Sequence, residues 1–521
     1  MKRHTKYSLL AAFALLFTGS ACQDQLEQVN PNQQTSATFW QNQDDALKGI
    51  TAAYLSLAID GGYMRSTNLM LDTRGDDARS NSPWDQMYNS GRFALNAGND
   101  AIYGWAFGAY YEGVSKANQV LDNVPDIEMD EALKTRIMGQ AYFLRGLYFY
   151  HLVNLFGSVP LPLTSIKSKE DFTVKQSTNA EGWALVIADF KKAAELLPVT
   201  YSNLTGIDQG QTGRATKGAA LGFLGKAYLF TRQYQEAANQ FKAVMDLGVY
   251  DLMSNYHDNF TARFENNRES LFEVQFDREA GGTDLNWGGE PIASWGRTSA
   301  RAITYAPRGF GWTDVQPTRS AFNDFLKEKT VKGEDDPRLV STILYNKPGL
   351  KLYGIEFSVK YAGNQQDLND LFVAKYQNHD SGQKDEFDWR SGINERLLRY
   401  SDILLMYAEC LNELGQTSAA YPFVQRVRSR VGLPDLATIK PGMSKEQFRE
   451  QLAHERLLEF SLEGHRFDDI RRWGWLENPA KLAELRQRDP EFATYKPGRE
   501  YFPIPQREID NNPGTVQNSS Y

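Results

Sequence analysis

A histidine followed directly by glutamate is half of a zinc-protease helix signature, and His454-Glu455 supplies that half. The second imidazole would have to stand one helical turn further on, where the chain has Leu458. No two ring nitrogens can then share that helix face, which excludes a zincin. The stretch Gly210 to Gly218 has the glycine content of a phosphate-cradling loop, but Lys217 is followed by Gly218 and not preceded by glycine. A magnesium-holding Ser or Thr is missing, and a helix start is the better reading. Adjacent carboxylates occur at Asp76-Asp77 and Asp335-Asp336. A glycosidase needs its two carboxyls facing each other across a bond, and neighbours in sequence are better suited to turns and solvent. No cluster of His, Cys, Asp and Glu has metal spacing, and no cofactor is implied.

The remaining chemistry suits binding. Holding a sugar ring takes a flat apolar face to stack against it, flanked by side chains that can bond paired hydroxyls. Two stretches combine these. One carries Asp76, Asp77, Arg79, Asn81, Trp84 and Tyr88; the other carries Asn286, Trp287, Trp295, Arg297, Tyr305 and Trp312. Trp84 is the leading single candidate for a ligand-facing ring.

Both stretches must be held by a frame, and the frame reads as helical. Asp44 is placed to cap a helix with Leu47, Ile50, Tyr54 and Leu57 on one face. Similar faces recur in Val114 to Val124, in Leu133 to Leu152 and in Trp183 to Leu197. From Thr216, a further N-cap, the pattern Leu224-Gly225-Lys226-Ala227-Tyr228 followed by Ala237-Ala238 and Phe241 is that of tetratricopeptide helix pairs, in which small residues let helices approach. A degenerate second copy spans Leu404 to Val427, without the fixed repeat interval of a solenoid. Gly61 to Gly104 and roughly Asp277 to Pro317 interrupt this frame as long polar loops, the usual carriers of binding residues.

Basic Lys2, Arg3 and Lys6, the apolar run Leu9 to Phe17 and Gly19-Ser20-Ala21 form a secretory leader ending before Cys22. The apolar run is about half of the ~20 residues a membrane-crossing helix needs. Cleavage before a cysteine predicts acylation of Cys22, and so a membrane attachment through lipid. The polar residues up to 36 then read as a tether. The other cysteine, Cys410, lies in an apolar-periodic stretch and reads as core. A net charge of −8, more negative once the basic leader is removed, makes nucleic acid a poor partner. Arg456, Glu459, Glu463, Arg466, Asp468, Arg471 and Arg472 form a charged run beside apolar Leu457, Leu458, Phe460 and Phe467, which favours internal ion pairs over a binding surface.

Several separated segments resemble the SusD/RagB family of nutrient-binding outer-membrane lipoproteins. They are the Cys22 lipobox, Thr38-Phe39-Trp40 with Asp44-Asp45-Ala46, Ala117 to Asp122, Ala141 to Arg145 leading to Phe156-Gly157-Ser158-Val159-Pro160, and Gly213 to Ala219. In the C-terminal half they are Arg399 to Glu409, Glu455 to Phe460, Glu463 to Gly474, Phe502-Pro503-Ile504-Pro505 and Asn511 to Gly514. Their order along the chain carries the resemblance. It implies a mainly α, single-lobed scaffold of tetratricopeptide-like pairs with long irregular loop insertions. Residues 1–21 would be the leader, 22–36 the tether and 37–521 the folded domain, with halves at about 37–250 and 270–521. It further implies a non-enzymatic protein, lipid-anchored in the outer membrane and facing the exterior, that captures glycan and passes it to a SusC-like TonB-dependent transporter. Peptide uptake of the RagB kind is the alternative reading, and a surface endoglycosidase a more distant one. The family's binding residues sit in variable loops, so no motif transfers them.

Overall fold

In the computed structural model the described residues are 39–280 and 298–521. The leader, Cys22, the tether and the Asn286, Trp287, Trp295 and Arg297 candidates lie outside them.

The helices of seven or more residues are α1 (Gln43–Leu55), α2 (Ser66–Asp72), α3 (Asp85–Gly91), α4 (Ala101–Asn123), α5 (Glu131–Phe156), α6 (Asn179–Leu196), α7 (Lys217–Phe230), α8 (Tyr234–Asp246), α9 (Arg319–Leu326), α10 (Tyr400–Glu413), α11 (Thr417–Arg430), α12 (Lys445–Phe460), α13 (Arg466–Arg472) and α14 (Pro479–Arg488). Strands are short and pair two by two, all antiparallel: β1 (Ala78–Ser80) with β3 (Val315–Pro317), β2 (Ser270–Val274) with β8 (Glu395–Arg399), β4 (Ile343–Leu344) with β7 (Phe372–Val373), and β5 (Lys351–Leu352) with β6 (Ile355–Glu356). The fold is mainly α.

α5 is central. From Gly139 to Phe156 all but Tyr142 are buried, because α4 covers one side and α6 the other. A helix apolar on every side has no solvent face to offer. Gly113 lets α4 approach: a Cβ there would stand 2.3 Å from the Tyr148 ring, whose hydroxyl donates to the Ala53 carbonyl of α1 at 2.6 Å. The helices then pack in succession, α5 on α6, α6 on α7, α7 on α8, α8 on α10 and α10 on α11. Both expected tetratricopeptide-like pairs are present. Thr216 caps α7 by accepting from Ala219 N–H, and Gly225 leaves room for the Phe241 ring of α8, 2.5 Å from where a Cβ would be. In the second pair, Tyr407 meets Phe423 edge-on at 4.7 Å.

Two expectations need correction. The α1 cap is Asn42, whose side chain accepts from Asp44 and Asp45 N–H, so the helix begins before Asp44. The stretch from Gly61 to Gly104 is no surface loop over most of its length. Residues 60–70 and 72–78 are buried, because its charges are matched inside the protein: Asp60 to Arg65, Asp72 to Arg301, Asp76 to Arg466. Polar composition predicts solvent only when the partners are unknown.

The charged run forms the expected ion pairs. Glu459 of α12 meets Arg430 at 2.5 Å, Arg399 at 3.0 Å and Arg338 at 3.2 Å, all fully or nearly fully buried. Arg399 also holds Glu269 and Glu463, and Arg456 holds Asp402 and Asp469. Asp336, expected at a turn in solvent, is instead buried against Arg338 at 2.7 Å.

Candidate functional site

The site is built around the turn Asp60–Met64, which passes over the first turns of α4. Gly61 permits this: a Cβ would stand 2.2 Å from the carbonyl oxygen of Trp105. The turn delivers Arg65, 1% exposed, whose Nε and Nη2 donate to Asp60 at 2.8 and 2.6 Å. Its guanidinium lies 5.7 Å from the Trp84 ring and 5.8 Å from the Trp105 ring, and the two half-buried indoles are 5.7 Å apart. Asp60 neutralises the arginine and the arginine supports two aromatic faces, a cation–π arrangement that fixes ring positions.

A second pair is tied to the first through β1 and β3. Asn81 N–H donates to the Asp314 carbonyl oxygen at 2.7 Å, extending the register Ser80–Val315. Burial pushes the Asp314 carboxyl up to about 6, with Ser82 and Arg65 pulling the other way. Two residues before it is Trp312, whose ring meets Trp389 edge-on at 5.6 Å. Both indoles are half-buried and leave left-handed or adjacent backbone: Trp389 has φ 57° and Thr313 φ 59°. A β-branched residue rarely adopts that conformation, and Thr313 is held there by donating from its hydroxyl to the Ala306 carbonyl at 2.8 Å. Strained backbone that presents a large ring beside polar groups is a feature of binding sites.

The candidates taken from sequence divide. Trp84 and Trp312 are in the aromatic pairs, and Asn81 is exposed beside Trp84. Tyr88 is 43% exposed, with one ring face covered by the Arg92 guanidinium at 3.3 Å. Arg79 is exposed on β1 but lines a separate small pocket of 70 Å³ with Arg319 and Asp370. Asp76, Asp77 and Tyr305 are buried and cannot touch a surface ligand. Burial would raise the Asp76 carboxyl, but Arg466 and Arg488 overcome this and hold it well below the usual range. Burial pushes Asp77 up to about 7, helped by the charge of Asp76, and its Oδ2 accepts from Leu462 N–H at 3.1 Å. Tyr305 donates to Asp72 at 2.9 Å. Two rings were missed. Trp105 lies within a helix and reads as core; Trp389 stands in Glu386-Phe387-Asp388-Trp389-Arg390, whose aromatic and charged mixture matches the two stretches that were singled out.

Two larger cavities are elsewhere. Spaces of 440 and 270 Å³ flank the Gly210–Arg214 loop. Several polar groups in their walls are engaged within the protein: Tyr54 donates to Gln140 and accepts from Ala215 N–H, Thr216 bonds Tyr250, and Asn266 bonds Glu273 and Gln275, while the buried Ser270 hydroxyl of the smaller one has no hydrogen-bond partner. The residue types of the two indole pairs, not cavity volume, single them out as the candidate site. Among the described residues no group of three or more His, Cys, Asp or Glu could hold a metal ion, and no helix is long and apolar enough to cross a membrane.

Comparison with known proteins gives a consistent picture. A family model described as "SusD family" matches residues 268–521, and one described as "Starch-binding associating with outer membrane" matches residues 24–229. The crystal structure of a SusD superfamily protein from Bacteroides vulgatus is 30% identical, with a TM-score of 0.81, and the match covers 93% of this chain and 100% of that one. A laminarin-binding SusD-like protein is 26% identical at a TM-score of 0.74, covering 92% and 100%. A SusD-like protein of Formosa agariphila is 24% identical over 97% of each chain.

Proposed function

The chain belongs to the SusD family, and from that premise we propose that it is a non-enzymatic, cell-surface glycan-binding lipoprotein, anchored in the outer membrane through Cys22. It captures oligosaccharide or polysaccharide and hands it to a SusC-like TonB-dependent transporter. The observation that carries the reading is the pair of indole clusters, Trp84 with Trp105 and Trp312 with Trp389, half-buried and tied together through Arg65, Asn81 and Asp314. Indole faces stack on the apolar faces of sugar rings, while the exposed side-chain amide of Asn81 bonds ring hydroxyls. The laminarin-binding relative makes β-glucan the first ligand to try.

Release to a transporter calls for reversible binding, with dissociation constants on the order of micromolar to millimolar. The test is retardation of the mature chain in native gels containing laminarin and a panel of neutral and acidic glycans, with products examined afterwards. Retardation without cleavage is expected. Cleavage would make the protein an enzyme, and silence across the panel would overturn the glycan reading and favour peptides.

A further inference from the structure

The segment between α5 and α6 turns apolar side chains to solvent. Leu163 is 50% exposed, Ile166 47% and Phe172 65%, with Lys167, Lys169, Lys175 and the acids Glu170 and Asp171 exposed beside them, so the lysines outnumber the acids by one. Protein monomers commonly expose single apolar residues, but three large ones within ten positions concentrate apolar surface on one loop. The loop is built to hold that shape. Asn118 donates to the carbonyls of Pro162 and Thr164 at 2.9 and 3.2 Å, and Arg145 donates to that of Leu163 at 3.2 Å. Asp122 accepts from Ser165 N–H and hydroxyl at 2.7 and 2.6 Å. Asp171 accepts from Lys167 and Ser168 N–H at 2.8 and 2.7 Å, closing the turn that Ile166 and Phe172 flank. The backbone is fixed by internal bonds while the apolar tips are left in water.

The position of the loop indicates what covers it. Asn118 and Asp122 are at the C-terminal end of α4. α1 runs antiparallel beside α4, with Gly61 against Trp105 and Ser56 accepting from Lys116 at 3.3 Å, so its start at Gln43 lies towards that same end. Between Phe39 and the predicted lipid-bearing Cys22 there are 16 residues, at most about 60 Å of chain. The aromatic site is at the other end: Trp105 and Asp122 are 17 residues apart on one helix, roughly 26 Å along its axis.

We propose that loop 161–176 is a lipid-contacting foot. Leu163, Ile166 and Phe172 dip into the interfacial layer of the membrane that holds the acylated Cys22, and Lys167, Lys169 and Lys175 spread their ammonium groups among anionic headgroups. The acyl chains supply the attachment and the foot supplies orientation, placing the lipid at the end of α4 away from the aromatic site. This rests on the lipid-anchor reading.

The test uses acylated protein reconstituted into phosphatidylethanolamine–phosphatidylglycerol vesicles, with an environment-sensitive fluorophore on Phe172→Cys, on Ile166→Cys, or on Val331→Cys in the C-terminal half as the control. Val331 is 73% exposed and Cys410 is buried, so labelling is confined to the introduced thiol. Blue-shifted emission and about twofold or greater quenching by doxyl-labelled lipid are expected at 172 and 166 and not at 331. Protein that floats with the vesicles but shows no quenching overturns the foot alone. Protein that fails to float overturns the anchor and the foot together. A probe shielded in whole cells but open in lipid vesicles would mean a protein partner, and the proposal would fail.

Discussion

Trp84 and Trp389 are half-buried, each packed against another indole and the edge of the main core, so truncation removes a ring and also costs some stability. Trp84→Ala and Trp389→Ala are each expected to weaken glycan binding by about tenfold, a loss of ~1.4 kcal/mol. Gel retardation below the melting transition measures this, and circular dichroism at the same temperature shows that the variants are folded. Unaltered affinity in both variants would remove the aromatic pairs from the site. A buried residue permits a sharper test. Asp77 is pushed up to about 7, so between the unfolded value of about 3.9 and pH 7 the unfolded chain is ionised there while the folded chain keeps its proton. The folded state then binds more protons, and stability falls as pH rises through that window. Asp77→Asn keeps an acceptor for Leu462 N–H and cannot ionise. Its melting temperature should gain on that of the unmodified protein between pH 4 and 7, by on the order of 2 °C or more. A constant difference across that range would show that Asp77 is ionised in the fold.

Elements depend on close approach as much as on hydrophobic faces. Helices α7 and α8 meet where Gly225 faces the Phe241 ring, and any Cβ at 225 would stand 2.5 Å from it. Gly225→Leu must displace that ring or separate the helices, and overpacking of this kind costs about 1–3 kcal/mol. A melting temperature lower by several degrees is expected in calorimetry. Glycan affinity below the transition should be unchanged, because the pair is part of the frame and the proposed site sits on α4, the Asp60–Met64 turn and the β1–β3 ribbon. The short elements that carry the site were the hardest to read. β1 and β3 are three residues each and pair across more than two hundred residues of chain, so no local period marks them.

At the scale of the whole molecule, the C-terminal half is held by a buried ionic network centred on Glu459, whose carboxylate serves Arg338, Arg399 and Arg430 at once. Burial opposes its charge, but the three guanidiniums overcome this and lower its pKa. A depressed pKa contributes stability above the unfolded value of about 4.3, and that contribution is lost as pH falls through the lower, folded value. Glu459→Gln leaves three arginines buried with less counter-charge, and a loss of about 3–5 kcal/mol is expected in urea titrations at pH 7. The difference from the unmodified protein should shrink below pH 4. A loss that persists unchanged in acid would assign the effect to packing and not to charge.

Helix periodicity and the glycine and aromatic spacing of the two helix pairs were enough to read a helical frame, because these signals are local, and the order of motifs along the chain carried the resemblance to the family. They also placed Trp84 and Trp312 among ligand-binding candidates on residue type alone. What only the tertiary structure decided was which polar residues are spent internally. Asp76, Asp77 and Tyr305 look in sequence like Asn81 or Tyr88, but their partners Arg466, Leu462 and Asp72 come from distant parts of the chain. A charge reads as exposed until its counter-charge is located, and contacts across hundreds of residues leave no mark in local sequence. Trp105 and Trp389 were lost for the complementary reason: whether an indole is core or surface depends on what the rest of the fold places over it.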